Sequence, residues 1–292
     1  MSARIMAISL RTGEKGRLFR VLFKRPIVAV SAVFILLVVA VAIFGPWLAP
    51  YDPYVQELSQ SLAQPGQAHI LGTDILGRDV LSRLIYGSRN SLLVGVVALG
   101  VAAVFGMTLG LLAGYFGGWV NTAIMGFIDA LMCFPMILLA LVIATLLGGG
   151  MRNVMIALGV AMMPGYARLM YGETLSVKQN EYVMAERAAG AGSARIMLRH
   201  ILPNCFPPLI VLATMQIGAA ILAEAGLSFL GIGIEPPAAA WGLMVEDGRP
   251  FLLDNPLLSF APGLSIMLVV FAFNMVGDGL RDAFDPRLRG TI

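Results

Sequence analysis

Glu181–Asn204 reads EYVMAERAAGAGSARIMLRHILPN, the most polar long segment in a chain that is 58% hydrophobic. Apolar runs flank it on both sides. Ala185, Ala188 and Ala189 fall at helical spacing and give a face without bulk. Gly190 and Gly192 then allow backbone angles that a residue with a Cβ resists. Ser193 is placed to cap a second helix. In that helix Ala194, Met197, Leu198 and Ile201 follow an i, i+3, i+4, i+7 pattern. Arg195 and Arg199 point away from it, one turn apart, and Asn204 with its neighbouring prolines ends it. The segment therefore predicts an amphipathic helix–turn–helix between two spans. Such a unit either packs on its own membrane domain or acts as a knob for a partner's groove.

The surroundings of this segment set its solvent. Charged residues make up 13% of the 292-residue chain, about half the ~25% of globular proteins. Mean hydropathy is +0.84. A water-soluble fold has too little interior for that much apolar surface, so the bilayer is the solvent. The net charge of +3 reads as a topology signal. No basic stripe interleaved with aromatics argues for nucleic acid. Cys133, Cys205, His69 and His200 show no metal-ligand spacing, and both thiols are expected to be buried and inert. No G-x-x-x-x-G-K-[ST] loop occurs, and no nucleophile–base–acid set is present. The chain is therefore expected not to be an enzyme and to bind no metal or cofactor. If ATP drives it, a partner must hold the nucleotide.

Gaps between charges mark the spans. Residues 26–51 carry none, and the run is longer than a signal-peptide core of roughly 7–15 residues. It predicts an uncleaved first helix over 26–49. Residues 90–128 are also uncharged, too many for one helix across a bilayer core of about 30 Å. Gly114–Asn121, GYFGGWVN, divides them into two helices. The third span continues to about Leu147, where Gly148–Gly150 stops it. Further spans are expected near 153–172, 206–228 and 259–278, the fifth opening on Pro207-Pro208. With the N-terminus inside, Arg78, Arg83, Arg89, Arg152 and Arg249 fall outside. Arg168 sits near an inner helix end, and all other lysines and arginines fall inside. That bias predicts an all-α integral membrane protein with six transmembrane helices and both termini cytoplasmic.

The expected organisation is a cytoplasmic tail (1–25), a first helix (26–49) and an outer segment (50–88). A five-helix core (89–280) follows, with a cytoplasmic loop at 178–204 and a second outer segment at 229–257, and then a cytoplasmic tail (281–292). The first outer segment predicts a surface-lying helix, with Val80, Leu81, Leu84 and Ile85 on its apolar side and Asp79, Ser82 and Arg83 on its polar side. Both outer segments carry more acidic than basic residues, which suits a docking face for an extracytoplasmic partner.

Several residues inside the spans carry chemistry. Asp129 and Glu224 lie in or near apolar runs, where acids are costly. They are expected to bond polar groups between helices; an ion-coupled carrier would use them instead. Ala102, Gly106, Gly110 and Gly114 recur every four residues, leaving a bare face for another helix of this chain or a partner. Met155, Met162 and Met215, with Glu224, are candidates for an adaptable translocation lining. Packing within the bundle is the alternative role for the methionines.

The opening stretch resembles the EAA loop of binding-protein-dependent ABC importer permeases. That loop has an alanine-rich start, a glycine, and Ile/Leu-Pro about a dozen residues later. Ala185, Gly190, Leu202 and Pro203 match it. Met184 stands where the family's Glu is usual, and Glu186 where its second Ala is usual. Leu71–Leu92, Gly226–Arg249 and Gly277–Arg289 resemble segments of the peptide/nickel group of these permeases. Residues 25–290 as a whole are similar to the C-type permease of a dipeptide or oligopeptide importer.

The resemblance implies a type I ABC importer permease fold in the bacterial inner (plasma) membrane. It implies that Ala185, Glu186, Arg187, Ala188, Ala189, Gly190, Ala191, Gly192, Arg195, Arg199, Leu202 and Pro203 form a coupling loop for a cytoplasmic ATPase. The implied partners are a second homologous permease, two ATPase subunits holding ATP and Mg, an extracytoplasmic substrate-binding protein, and membrane lipid. The implied cargo is peptides, with nickel chelates or another small solute as the alternative. An ion-coupled secondary carrier and a membrane scaffold are the competing classes.

Overall fold

The computed structural model describes residues 25–284. The basic residues of 1–24 and 285–292, which enter the orientation argument, lie outside the described residues. Among the described residues every long element is a helix: α1 (Pro26–Leu48), α2 (Val80–Phe116), α3 (Gly118–Met132), α4 (Met136–Leu147), α5 (Gly150–Lys178), α6 (Glu181–Ala188), α7 (Ser193–Phe229), α8 (Trp241–Gly248) and α9 (Leu257–Phe284). Of these, α1, α2, α5, α7 and α9 are long and apolar enough to cross a membrane. The third expected span is not one rod. It is the pair α3 and α4, bent by 93° at a short break, and counting the pair as one span gives six. Pro135 causes the break. It has no N–H to donate, and it disfavours helical angles at Phe134 before it. The cap of α4 is accordingly Pro135 itself, in an extended conformation.

The surface-lying outer helix does not exist as a separate element. Val80 to Ile85 are the first turns of α2, which runs for 37 residues, or about 55 Å. That exceeds the bilayer core, so one end of α2 projects beyond it. Asp79 caps this end, accepting the Ser82 N–H at 2.8 Å. The supposed polar side faces protein instead of water. Ser82 and Arg83 are buried, Arg83 to 2% exposure. The Arg83 guanidinium donates to the carbonyl of Pro53 at 3.2 Å and lies 3.5 Å from Asp74. It also reaches the carbonyls of Pro237 and Ala238. Asp74 bonds Arg78 Nε at 2.6 Å, and Arg78 lies 3.8 Å from Asp247. Burial raises the Asp247 carboxyl above its ordinary range, with Arg83 and Arg78 pulling it back down. This knot ties both outer segments to α2. Trp241 completes it, donating its indole N–H to Leu84 O at 3.0 Å.

The small-residue face of α2 packs on α5 of the same chain, in the most extensive helix pair of the fold. A Cβ placed on Gly106 would lie 2.6 Å from Met163 O, and one on Gly114 would lie 2.8 Å from Thr174 Cβ. One on Gly110 would run into the Ala167 carbonyl. Ala102 is fully buried beside them. Lys178, at the end of α5, caps the end of α2, its Nζ 2.5 Å from Tyr115 O and 5.5 Å from the Tyr115 ring. The chain then turns at Gly117 and Gly118, both at positive φ, as the GYFGGWVN pattern predicts. α1 packs on α2 and α9, and exposes Val30, Leu36, Leu37 and Phe44 to the surrounding lipid. Trp47 and Trp119, 78% and 80% exposed, stand at helix ends where aromatic residues favour the membrane–water boundary.

Candidate functional site

α6 and the first turns of α7 build the loop. α6 ends in a two-bond glycine cap: Gly190 N–H to Arg187 O at 3.1 Å and Ala191 N–H to Glu186 O at 3.0 Å. Gly190 has φ +82, and no atom lies within 4 Å of the Cβ it lacks. Backbone strain alone therefore demands glycine there. Val183 is the buried residue of α6, while Ala185, Ala188 and Ala189 are exposed. The bulk-free face thus looks outward. Arg187, Arg195 and Arg199 are exposed around it.

The second helix differs from expectation in three ways. Gly192, in extended conformation, holds the N-cap position with no side-chain bond, and Ser193 is already helical. Ile201 is buried as the pattern predicts, but its buried companion is Ile196, whereas Ala194 and Leu198 are exposed and Met197 is half-buried. The cause is a π turn over Met197–Ile201. Its i→i+5 register aligns residues five apart, which a 3.6-residue pattern cannot anticipate. The helix also does not stop at Leu202-Pro203. Leu202 N–H reaches back to Met197 O, Pro203 has no N–H to place, and the Asn204 amide donates to His200 O at 2.6 Å. The chain continues through Pro207 and Pro208 to Phe229.

Ile196, Ile201, Cys205 and Leu209 form one buried line. It joins Val183 to Ala102, Met162 and Met170 in a single core cluster. The loop is therefore seated by side chains continuous with the packing of α2 and α5. Glu186 turns inward, its Oε1 3.7 Å from His200 Nε2. The acid that departs from the EAA pattern lies against α7 and leaves the alanine face clear. Met184 and Leu198, 53% and 63% exposed, add apolar bulk to the outward surface; exposure, not spacing, identifies them.

The charged residues of the spans find partners unequally. Asp129 on α3 forms an ion pair with Arg168 on α5, both side chains about half exposed. Arg168 lies ten residues before the end of α5, about 15 Å along the axis, and so is not at a helix end as expected. Glu224 is fully buried; its Oε1 accepts from Ser228 Oγ at 2.7 Å while Oε2 has no partner. Met155 and Met162 are buried in different core clusters, and Met215 is half-buried beside Gly277. Bundle packing, the alternative role, describes Met155 and Met162. Cys205 is buried, but Cys133 is exposed at the α3–α4 break, against expectation. On the outer segments, Tyr51, Asp52, Glu57, His69 and Asp79 line a cavity of about 330 Å³.

The chain as a whole is similar to known proteins. The family described as "Binding-protein-dependent transport system inner membrane component" matches residues 106–290, and the "N-terminal TM domain of oligopeptide transport permease C" matches residues 16–65. The chain is 42% identical over 271 residues to a dipeptide transport system permease protein of Alkalihalophilus pseudofirmus, covering 93% of this chain and 89% of that one. It is 44% identical over 269 residues to a glutathione transport system permease protein of Pectobacterium atrosepticum, covering 91% and 89%. In fold it is similar to a chain of the inward-facing MetNI methionine ABC transporter, with a TM-score of 0.57 and 19% identity over 70% of this chain and 98% of that one. The chain belongs to the family of binding-protein-dependent transport system inner membrane components, the bacterial membrane-spanning permeases of ABC importers.

Proposed function

We propose that this chain is one of two unlike permeases in an ATP-driven peptide importer, with residues 178–204 as its coupling element. The single observation that carries the coupling role is the construction of the loop. An outward alanine face is held at a fixed angle by Gly190 and rooted through Val183, Ile196 and Ile201 in the core. A surface ornament needs no such root. Movement of a docked partner passes through packed side chains into α2 and α5, because packed interiors transmit displacement. ATP and Mg bind in two partner ATPase subunits, and hydrolysis occurs there. The outer segments 50–88 and 229–257 receive a substrate-binding protein, and both termini lie in the cytoplasm. Peptide cargo is supported by relatives named for dipeptide and glutathione transport.

The test is reconstitution of this chain with its partner permease and ATPases in vesicles. Dipeptide uptake is expected to require ATP and the binding protein together. Uptake by this chain alone under an ion gradient, without ATP, contradicts the reading and returns the carrier class.

A further inference from the structure

We propose that Asp129 and Arg168 form a charged station in an aqueous peptide pathway, taking the α-ammonium and α-carboxylate of the cargo. This rests on the peptide-import reading above. The pair joins α3 to α5 within spanning segments, yet its side chains are 56% and 52% exposed. Charges facing hydrocarbon are costly and resolve toward a water-filled cavity or the bundle interior.

The helix faces around the pair agree. On α3, Thr122, Gly126 and Cys133 share the face of Asp129 at helical spacing, and all are exposed. On α5, Gly165, Gly172 and Leu175 do the same for Arg168. Cβ atoms placed on Gly126 and Gly172 would meet nothing within 4 Å, so these glycines leave open room and do not serve close helix packing within this chain. The Gln216 amide of α7 approaches Gly165, 3.9 Å from its missing Cβ. Elsewhere the exposed faces are apolar, as at Val104 and Phe105 on α2. The same chain thus presents a lipid-like surface on some faces and here a charged one with open glycines, flanked by Met132 and Leu175.

A zwitterionic peptide matches this surface. The ends of an extended dipeptide lie roughly 7 Å apart. Arg168 takes the carboxylate through its fixed donor fork, and Asp129 takes the ammonium. One protein ion pair is exchanged for two protein–cargo pairs, and it re-forms when the cargo leaves. Binding is therefore weak enough for transit. The second permease supplies the opposite wall.

The decisive variant exchanges the charges, Arg168→Asp with Asp129→Arg, in the full complex with ATPases and binding protein. A structural ion pair survives the exchange; a station for an oriented zwitterion does not. The exchanged complex is expected to assemble at wild-type yield and lose at least about tenfold in dialanine uptake. Wild-type uptake overturns the proposal. If the exchanged complex does not assemble, native Cys133 decides, with Cys205→Ala here and the partners' cysteines removed. Its Sγ lies 3.3 Å from Asp129 O. Water-soluble anionic and cationic thiol reagents are expected to label it, and Arg168→Gln is expected to lower the anionic-to-cationic rate ratio about tenfold. An unreactive Cys133 shows the partner permease packed over the pair, an unchanged ratio shows that Arg168 does not set the charge of the site, and either overturns the proposal. Failure of the peptide reading looks different. A wild-type complex that hydrolyses ATP but takes up no dialanine contradicts peptide import, while the labelling ratio still tests the aqueous charged pair.

Discussion

Gly190 concentrates the coupling argument in one backbone angle. Its φ of +82 and empty surroundings mean that a side chain there meets no clash, only strain. A β-branched residue costs about 1–2 kcal/mol in this conformation and relieves it by rotating α6 against α7. The spans are untouched by that change. Gly190→Val is therefore expected to keep normal membrane levels and lose most peptide uptake. Gly190→Asn retains more, because Asn visits the left-handed region readily. Immunoblots of membranes alongside uptake assays check both variants. Wild-type uptake by the Val variant at equal expression returns the loop to a surface ornament.

The helices divide into those held by absent side chains and those held by buried charge. Gly110→Val drives a branched side chain into the Ala167 carbonyl. Overpacking of this kind costs about 1–3 kcal/mol or more, so lower thermal stability in detergent and lower membrane yield are expected. Arg83→Met strands Asp74 beside Arg78 alone and abandons three carbonyls. Breaking such a buried network costs about 3–5 kcal/mol. Arg249→Ala is the control: it removes one exposed cation–π contact to Phe229, worth about 0.5–1 kcal/mol. Unfolding followed by tryptophan fluorescence separates the three, and an Arg83 variant as stable as the Arg249 variant contradicts the knot.

These elements also show what the sequence made legible. The α2 stripe and the Gly190 turn were readable because glycine spacing and positive φ are local properties. The start of α2 was not: periodicity finds a helical face, but nothing in it says that Asp74 and Asp247 cover the polar side. The α3–α4 bend had a local signal in Phe134-Pro135, hidden within a continuous apolar run. The π turn left no 3.6-residue signature, so Ile196 and Ile201 could not be paired in advance. Asp129 was legible as a costly acid, but its partner Arg168, 39 residues away, was not.

Across the whole molecule the two ends are built differently. One end is a charge-locked platform of outer segments around Arg83 and Trp241; the other is a small, glycine-hinged knob. A continuous buried cluster from Val183 and Ile196 to Ala102 and Met162 joins the knob to α2 and to α5, the helix that carries Arg168. The central claim is that the alanine face of this knob is where an ATPase docks. Site-specific cross-linking from Ala189→Cys in membranes containing the full complex tests it most directly. The predicted product joins this chain to an ATPase subunit. A product with the extracytoplasmic binding protein, or none with any ATPase in an assembled complex, contradicts the account.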